Sequence, residues 1–295
     1  MPVPTGALFL NPSSGAKLTD DDRAALKAAA IAEGLEVHEV TPSLDCNAVI
    51  RERIERGVKL FVAAGGDGTI HSVIQPLVRT DAVLGVIPVG TYNHFARDAG
   101  LPLDWKEALE VVMRGTTRPV DAARVNDRYF INNLSIGLYP ELVMRREERG
   151  RDYPRWKARL YALYATLRKY PHVNLTLEAD ARHEAIRTHV FIVSNNSYDL
   201  SRVGIEAPRT SLEDGTVSVY WLPHLRRLAL ARFAARYLAG RAQSAQEFQS
   251  FVTRSVRVET TRPSLQVGLD GEVVRLTAPL VITSVPQALA VRVPA

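Results

Sequence analysis

Residues 60–70 constrain this chain most: Leu60-Phe61-Val62-Ala63-Ala64-Gly65-Gly66-Asp67-Gly68-Thr69-Ile70. An apolar run of strand length ends in two adjacent glycines, an aspartate, a third glycine and a threonine. From Thr69 onward Ile70, Val73, Ile74 and Leu77 recur at helical spacing. The glycines therefore fall where a strand turns into a helix. Backbone N–H groups without Cβ crowding can close on an anion there, and the helix N-terminus adds positive potential. A phosphate is the natural guest. Asp67 would repel a bare phosphate, which makes sense if it holds a metal ion or takes a proton from an attacking hydroxyl. The structural alternative is a plain strand–helix turn with Asp67 as N-cap.

The flanking sequence repeats this plan. Residues 6–10 read as a strand and run straight into Asn11-Pro12-Ser13-Ser14-Gly15, a second candidate phosphate loop. A helix over 20–33 starts behind Thr19 and Asp20, and a strand over 35–40 ends at Thr41-Pro42. A helix over 45–57 closes at Gly57. A strand over 82–87 leads into Pro88-Val89-Gly90-Thr91-Tyr92-Asn93-His94, and a helix spans 105–113. Alternating strands and helices predict a parallel α/β sheet, whose ligands bind beyond the carboxyl ends of the strands. Asn11–Gly15, Thr41, Gly65–Thr69 and Gly90–Asn93 all fall on that rim. His94 reads as a polar helix residue rather than a general base.

From about residue 120 the pattern changes to closely spaced strands: 118–125, 128–134, 173–179, 186–194, 216–222, 251–259, 264–269, 272–277 and 280–284. Alternation in Val173-Asn174-Leu175-Thr176-Leu177-Glu178 fits half-buried antiparallel strands. The expected organisation is an α/β domain over 1–120 and a mainly β domain over 121–295, whose last strands return towards the first. The cleft between them would be the active site. Two stretches interrupt the strands, 141–170 and 224–241. Both read as basic helices, the first with interleaved aromatics and the second with five arginines and no acid. Such segments suit an anionic bilayer surface; the alternative is an amphipathic helix packed on its own domain.

Composition narrows the classes. Of 295 residues 46% are hydrophobic and 23% charged, and no apolar run approaches the roughly 20 residues of a membrane span. Cys46 is the one cysteine, so there is no internal disulfide framework, and a reducing cytoplasm is the simplest home. The first residues lack the basic start of a signal peptide, and no Cys/His spacing suits zinc. A net charge of +5 points to an anionic partner, a nucleotide or a membrane surface. No recognised nucleic-acid module accompanies the basic stretches, so nucleic acid is not expected.

Acidic residues at turns and strand ends complete the set: Asp67, Asp121 after Pro119-Val120, Asp214 in Ser211-Leu212-Glu213-Asp214-Gly215-Thr216, and Asp270-Gly271-Glu272. Asp-Gly pairs are first of all hairpin turns. Phosphoryl transfer to a hydroxyl, however, needs Mg²⁺ ligands and a proton acceptor, and carboxylates supply both.

Taken in order, these motifs resemble the diacylglycerol kinase catalytic-domain family, which includes bacterial diacylglycerol kinases, YegS-like lipid kinases and sphingosine kinases. The resemblance rests on Asn11–Gly15, Gly65–Thr69, Pro88–Ala96, Phe130-Ile131-Asn132-Asn133 with Ser135-Ile136-Gly137-Leu138, Asp214-Gly215 and Asp270-Gly271-Glu272. It implies an NAD kinase-like α/β domain followed by a β-sandwich, with ATP in the cleft. Asn11, Ser13, Ser14, Gly15, Thr41, Gly65, Gly66, Asp67, Gly68, Thr69, Ile70, His71, Gly90, Thr91 and Asn93 would hold the nucleotide. Asp67 would hold the catalytic Mg²⁺. Asp270 or Glu272 would be the general base, with Asp270 preferred. Asp214 and the backbone oxygens of Ser211 and Thr216 would bind a structural Mg²⁺, and Asp121 would belong to the active-site network.

The chain departs from the family pattern at His94, where many members have Asp, and at Ser211 and Leu212, where some have a second acid. The implied protein is an ATP- and Mg²⁺-dependent lipid kinase, cytoplasmic and peripheral to the membrane. The rivals are an NAD kinase-like enzyme with a soluble substrate and a nucleotide-binding regulatory protein without catalysis. The sequence names neither the lipid nor the oligomeric state, so a homodimer stays open.

Overall fold

The computed structural model describes residues 4–14, 18–137, 172–197, 211–224 and 248–295, together with Ala229. The expected basic helices over 141–170 and 224–241 lie outside them, apart from His224 and Ala229, and so does Gly15. The chain divides into two compact units. One comprises 1–122, 211–215 and 285–295; the other comprises 123–210 and 216–284.

The first unit is built on parallel strands β1 (Gly6–Leu10), β2 (Leu35–Glu39), β3 (Leu60–Gly65) and β4 (Val83–Pro88) in the order β4-β3-β1-β2. Strands covered on both faces need continuous apolar runs. Accordingly β1 and β3 are buried along their whole length. Helices α1 (Asp20–Ala32), α2 (Cys46–Glu55), α3 (Asp67–Ile74), α4 (His94–Asp98) and α5 (Trp105–Arg114) complete the alternation. Thr19 and Asp22 form a reciprocal capping box that starts α1, and Asp104 caps α5 through the N–H groups of Lys106 and Glu107. Leu8, Leu10, Leu26, Val62, Ile87, Leu109 and Val112 share one core. Each such fully buried side chain contributes roughly 1.5–3 kcal/mol.

The second unit is antiparallel. It contains β6 (Arg128–Phe130), β7 (Asn133–Gly137), β8 (Val173–Ala179), β9 (Arg182–Asn195), β10 (Val217–Pro223), β11 (Gln249–Thr253), β12 (Ser255–Glu259), β13 (Ser264–Leu269) and β14 (Glu272–Thr277), following β5 (Thr116–Val125). The long β15 (Leu280–Val293) gives its first residues to this unit and its last to the other, where Ala290 and Val291 pair in parallel with Val83 and Leu84. Inward residues such as Leu134, Ile136, Phe191, Val193, Trp221, Val256 and Val267 make the core.

The strand expected over 186–194 starts earlier, at Arg182, where it pairs with β8, and three others break or extend. The run 128–134 breaks after Phe130, because the peptides at 131–133 turn their N–H groups to a carboxylate. The run 251–259 breaks at Arg254. There the Thr253 hydroxyl accepts the Ser255 N–H, and the chain changes partner from β10 to β8 and β15. The last strand continues past 284 to Val293 because its second half has β4 to pair with.

Candidate active site

In the first unit the rim is sewn together by side chains. The Asn11 Nδ2 donates to Thr69 Oγ1 at 3.2 Å, while its Oδ1 accepts from the Ser13 N–H at 2.9 Å. The loop after β1 is thereby tied to the loop after β3. Thr69 in turn packs so tightly on Gly65 that a Cβ there would lie 2.1 Å from Thr69 Oγ1. Gly90 is held the same way, since a Cβ on it would come within 2.3 Å of the Gly66 Cα. The loops after β3 and β4 touch backbone to backbone, and only glycine permits that approach.

Asp67 links the same two loops. It is the first residue of α3, whose N-cap is Gly66, so it does not cap its own helix. Its Oδ2 accepts from the His94 N–H and its Oδ1 from the Phe95 N–H, each at 3.2 Å. Asp67 therefore caps α4 from 27 residues away. The α4 N-cap position, Asn93, has a left-handed φ of 54°. Its amide is used within its own loop: Oδ1 accepts from Gly90 N–H, and Nδ2 donates to the Pro88 and Gly90 carbonyls. The structure thus gives Asn93 a loop-shaping role. Asp67, Gly66 and Gly68 are half-buried at the mouth of the α3 N-terminus, where first-turn N–H groups and the helix dipole favour an anion.

Other expected nucleotide contacts sit differently. Ser13, Thr41 and Thr91 lie towards solvent, and the Thr41 hydroxyl bonds that of Ser43. Ile70 and His71 are buried, and the Ile70 N–H already bonds the Gly66 carbonyl. His94 sits in the first turn of α4 with its ring stacked on Tyr92. Beyond β4 a cavity of about 300 Å³ opens between Pro88, Val89, Leu18 and Trp105, and contains none of the expected residues.

Asp121 is buried in the same unit. Its Oδ2 accepts from Gly215 N–H at 2.7 Å and its Oδ1 from Gln287 N–H at 2.8 Å, and its own N–H donates to the Leu212 carbonyl. Arg118 pairs with Glu213 beside it. Asp121 thus fastens the short 211–215 segment and the start of the returning strand to the first unit. Asp214 itself is exposed and Ser211 half-buried. The Thr216 carbonyl, in the second unit, accepts from Asn196 N–H. Among the described residues no three His, Cys, Asp or Glu side chains come together to hold a metal ion.

In the second unit, Asp270 and Gly271 are the two central residues of the β13–β14 hairpin, both with positive φ (48° and 92°) as a type I′ turn requires. The hairpin alternative was correct, yet the carboxylate does more than turn the chain. It is buried and accepts three backbone N–H groups, from Ile131 (2.9 Å), Asn132 (2.7 Å) and Asn133 (3.1 Å). Glu272, at the start of β14, is exposed. Sequence reasoning missed Asn195, which bonds the carbonyls of Ile131 and Asn132. The available signal was a polar pair, Asn195-Asn196, closely following the apolar run from Val190.

Residues 5–125 match the diacylglycerol kinase catalytic domain family, and residues 143–293 match the YegS C-terminal NAD kinase beta sandwich-like domain family. A protein of Bacillus subtilis (strain 168) named diacylglycerol kinase is 31% identical over 282 residues, covering 90% of this chain and 88% of its own length. A diacylglycerol kinase of Mycobacterium tuberculosis (strain ATCC 25618 / H37Rv) is 28% identical over 267 residues, covering 88% and 85%. A Bacillus anthracis str. Sterne chain of known crystal structure superposes with a TM-score of 0.73 at 21% identity, covering 99% of this chain and 98% of that one. The expected architecture, a parallel α/β part and an antiparallel β-sandwich part, agrees with these matches.

Proposed function

Because the chain belongs to the diacylglycerol kinase catalytic-domain family, we propose that it is an ATP- and Mg²⁺-dependent kinase that phosphorylates the hydroxyl of a lipid. The observation that carries the reading is the stitched rim of the first unit. Loops after β1, β3 and β4 are locked around the N-terminus of α3 by Asn11, Asp67 and the Gly66–Gly90 contact. Rigid N–H donors of this kind suit a triphosphate, because they need no reorganisation as charge moves.

The donor chemistry fits the implied ligands. Mg²⁺ keeps several waters and takes one or two carboxylates besides phosphate oxygens; Asp67, half-buried at the rim, supplies one. Bound there, the ion would neutralise charge on the phosphate oxygens. Asn11, Ser13, Ser14 and Gly65–Thr69 would orient the triphosphate, with Thr41, Gly90 and Thr91 at its margins, and Asn93 would keep the Gly90 turn in shape. Asp214, with the carbonyls of Ser211 and Thr216, would carry the structural Mg²⁺, and Asp121 would hold that segment in place. Asp270 would accept the proton released as the lipid oxygen bonds to phosphorus, a role general bases fill for about 10²–10⁴-fold in rate. The basic sequences over 141–170 and 224–241 would bring the protein to an anionic membrane surface from the cytoplasm, where its substrate lies. No helix among the described residues is long and apolar enough to cross a membrane.

The test is transfer of labelled phosphate from ATP into a panel of lipids, with and without Mg²⁺, using Asp270→Asn as control. A labelled lipid that disappears without Mg²⁺ and in the variant is the expected result. Measured ATP binding with label appearing only in a soluble acceptor such as NAD would overturn it.

A further inference from the structure

We propose that Asn195 is a positioning residue for Asp270, acting through two peptide groups that lie between them. The proposal rests on the reading of Asp270 as proton acceptor. In the peptide joining Ile131 to Asn132, the carbonyl accepts from Asn195 Nδ2 at 3.2 Å, and the N–H donates to Asp270 Oδ1 at 2.7 Å. The next peptide, joining Asn132 to Asn133, repeats the arrangement. Its carbonyl accepts from the Asn195 backbone N–H at 3.0 Å, and its N–H donates to the same Oδ1 at 3.1 Å.

Each peptide is therefore pulled in one direction, with a donor at its oxygen and a carboxylate at its hydrogen. Consecutive hydrogen bonds of this sense polarise one another, and low local dielectric strengthens them. Both ends are out of water: Asn195 is 0% and Asp270 2% exposed. Asn195 is itself held at the end of β9, which pairs with β7 on one side and β10 on the other. The carboxylate closes the circuit, since the Asp270 N–H returns to the Asn133 carbonyl at 3.0 Å.

Replacing the Asn195 amide removes the 3.2 Å bond at the Ile131 carbonyl and so loosens the hold on the peptide that supplies the shortest bond to Oδ1. The carboxylate then drifts from its working orientation while the nucleotide loops of the other unit stay as they are. Such misplacement costs rate rather than binding.

The experiment combines amide-proton NMR with steady-state kinetics on the full chain. In the unaltered protein the Asn132 and Asn133 amide protons should lie far downfield of ordinary backbone amides; ordinary shifts would overturn the proposal without any variant. In Asn195→Leu, which keeps the side-chain branching but no donor, the Asn132 proton should move upfield. Its kcat should fall about tenfold at unchanged KM for ATP. Unchanged shifts and a kcat within twofold of the unaltered protein would sink the proposal. An Asp270→Asn variant that retains turnover overturns the proton-acceptor reading instead, and the amide shifts, which do not depend on turnover, tell the two failures apart.

Discussion

Asp67 and Asp270 use the same interaction, a carboxylate accepting backbone N–H groups, in opposite ways. Asp67 sits half-buried on the rim of a parallel sheet and accepts two N–H groups, both at 3.2 Å. Asp270 is buried in an antiparallel sheet and accepts three, the shortest at 2.7 Å. A carboxylate with long bonds at the surface can exchange them for a metal ion at little cost. One with short bonds out of water gives the surrounding chain its shape, and removing it strands the donors. The first is placed for binding and the second for holding a fixed geometry.

Four experiments would break or sharpen that contrast. Asp270→Ala should lower turnover roughly 10³-fold and also cost about 3 kcal/mol of unfolding free energy, because three buried N–H groups lose their acceptor. Denaturant melts alongside phosphotransfer would read both effects. A destabilised variant with full turnover would make Asp270 purely structural. Asp67→Ala should lose about 10²-fold in turnover while costing only about 1 kcal/mol, the worth of a helix cap. A stability loss as large as that of Asp270→Ala would erase the distinction.

Gly90→Ala comes next. Its Cβ would meet the Gly66 Cα at 2.3 Å, so the two loops must part at about 1–3 kcal/mol, and ATP titration should show weaker binding. Unaltered binding would mean that the rim does not depend on the contact. The smallest effect concerns acid in the second unit. Burial, then the nearby Arg187, His189 and His172, pulls the His224 imidazole below its usual pKa. A depressed value means that the folded state favours neutral imidazole. This stabilisation is complete above about pH 6.5 and is lost as pH falls through the folded-state value. The unfolding midpoint should therefore drop less on acidification in His224→Leu than in the unaltered protein; equal drops would remove His224 as the cause.

The two regions also differed in how far the sequence revealed them. In the first unit the signals are local. Gly65, Gly66 and Gly68 follow directly on the apolar β3, and Asn11 follows directly on β1, so strand, loop and helix can be read in succession. Even there, Asp67 capping α4 rather than its own helix depends on how two loops meet, which no local pattern records. In the second unit the partners of Asp270 lie 137 to 139 residues away. Asp270-Gly271 announced a hairpin, but the three N–H groups it gathers could not be inferred, and the continuous strand expected over 128–134 gave way to them. Asn195 carried little signal, since a polar residue at a strand end is ordinary.

The division of β15 between the units has a consequence for how the polypeptide is made. Residues 1–122 are synthesised before residues 285–295 of the same unit, so Val83 and Leu84 of β4 receive their β15 partners only when Ala290 and Val291 arrive. Until then β4 presents an apolar strand edge of the kind that recruits foreign strands. The sequence separation of that pairing makes it a late and slow event. Completion of this sheet should therefore wait on Ala290 and Val291, however early the glycine-rich loops of the same unit are made.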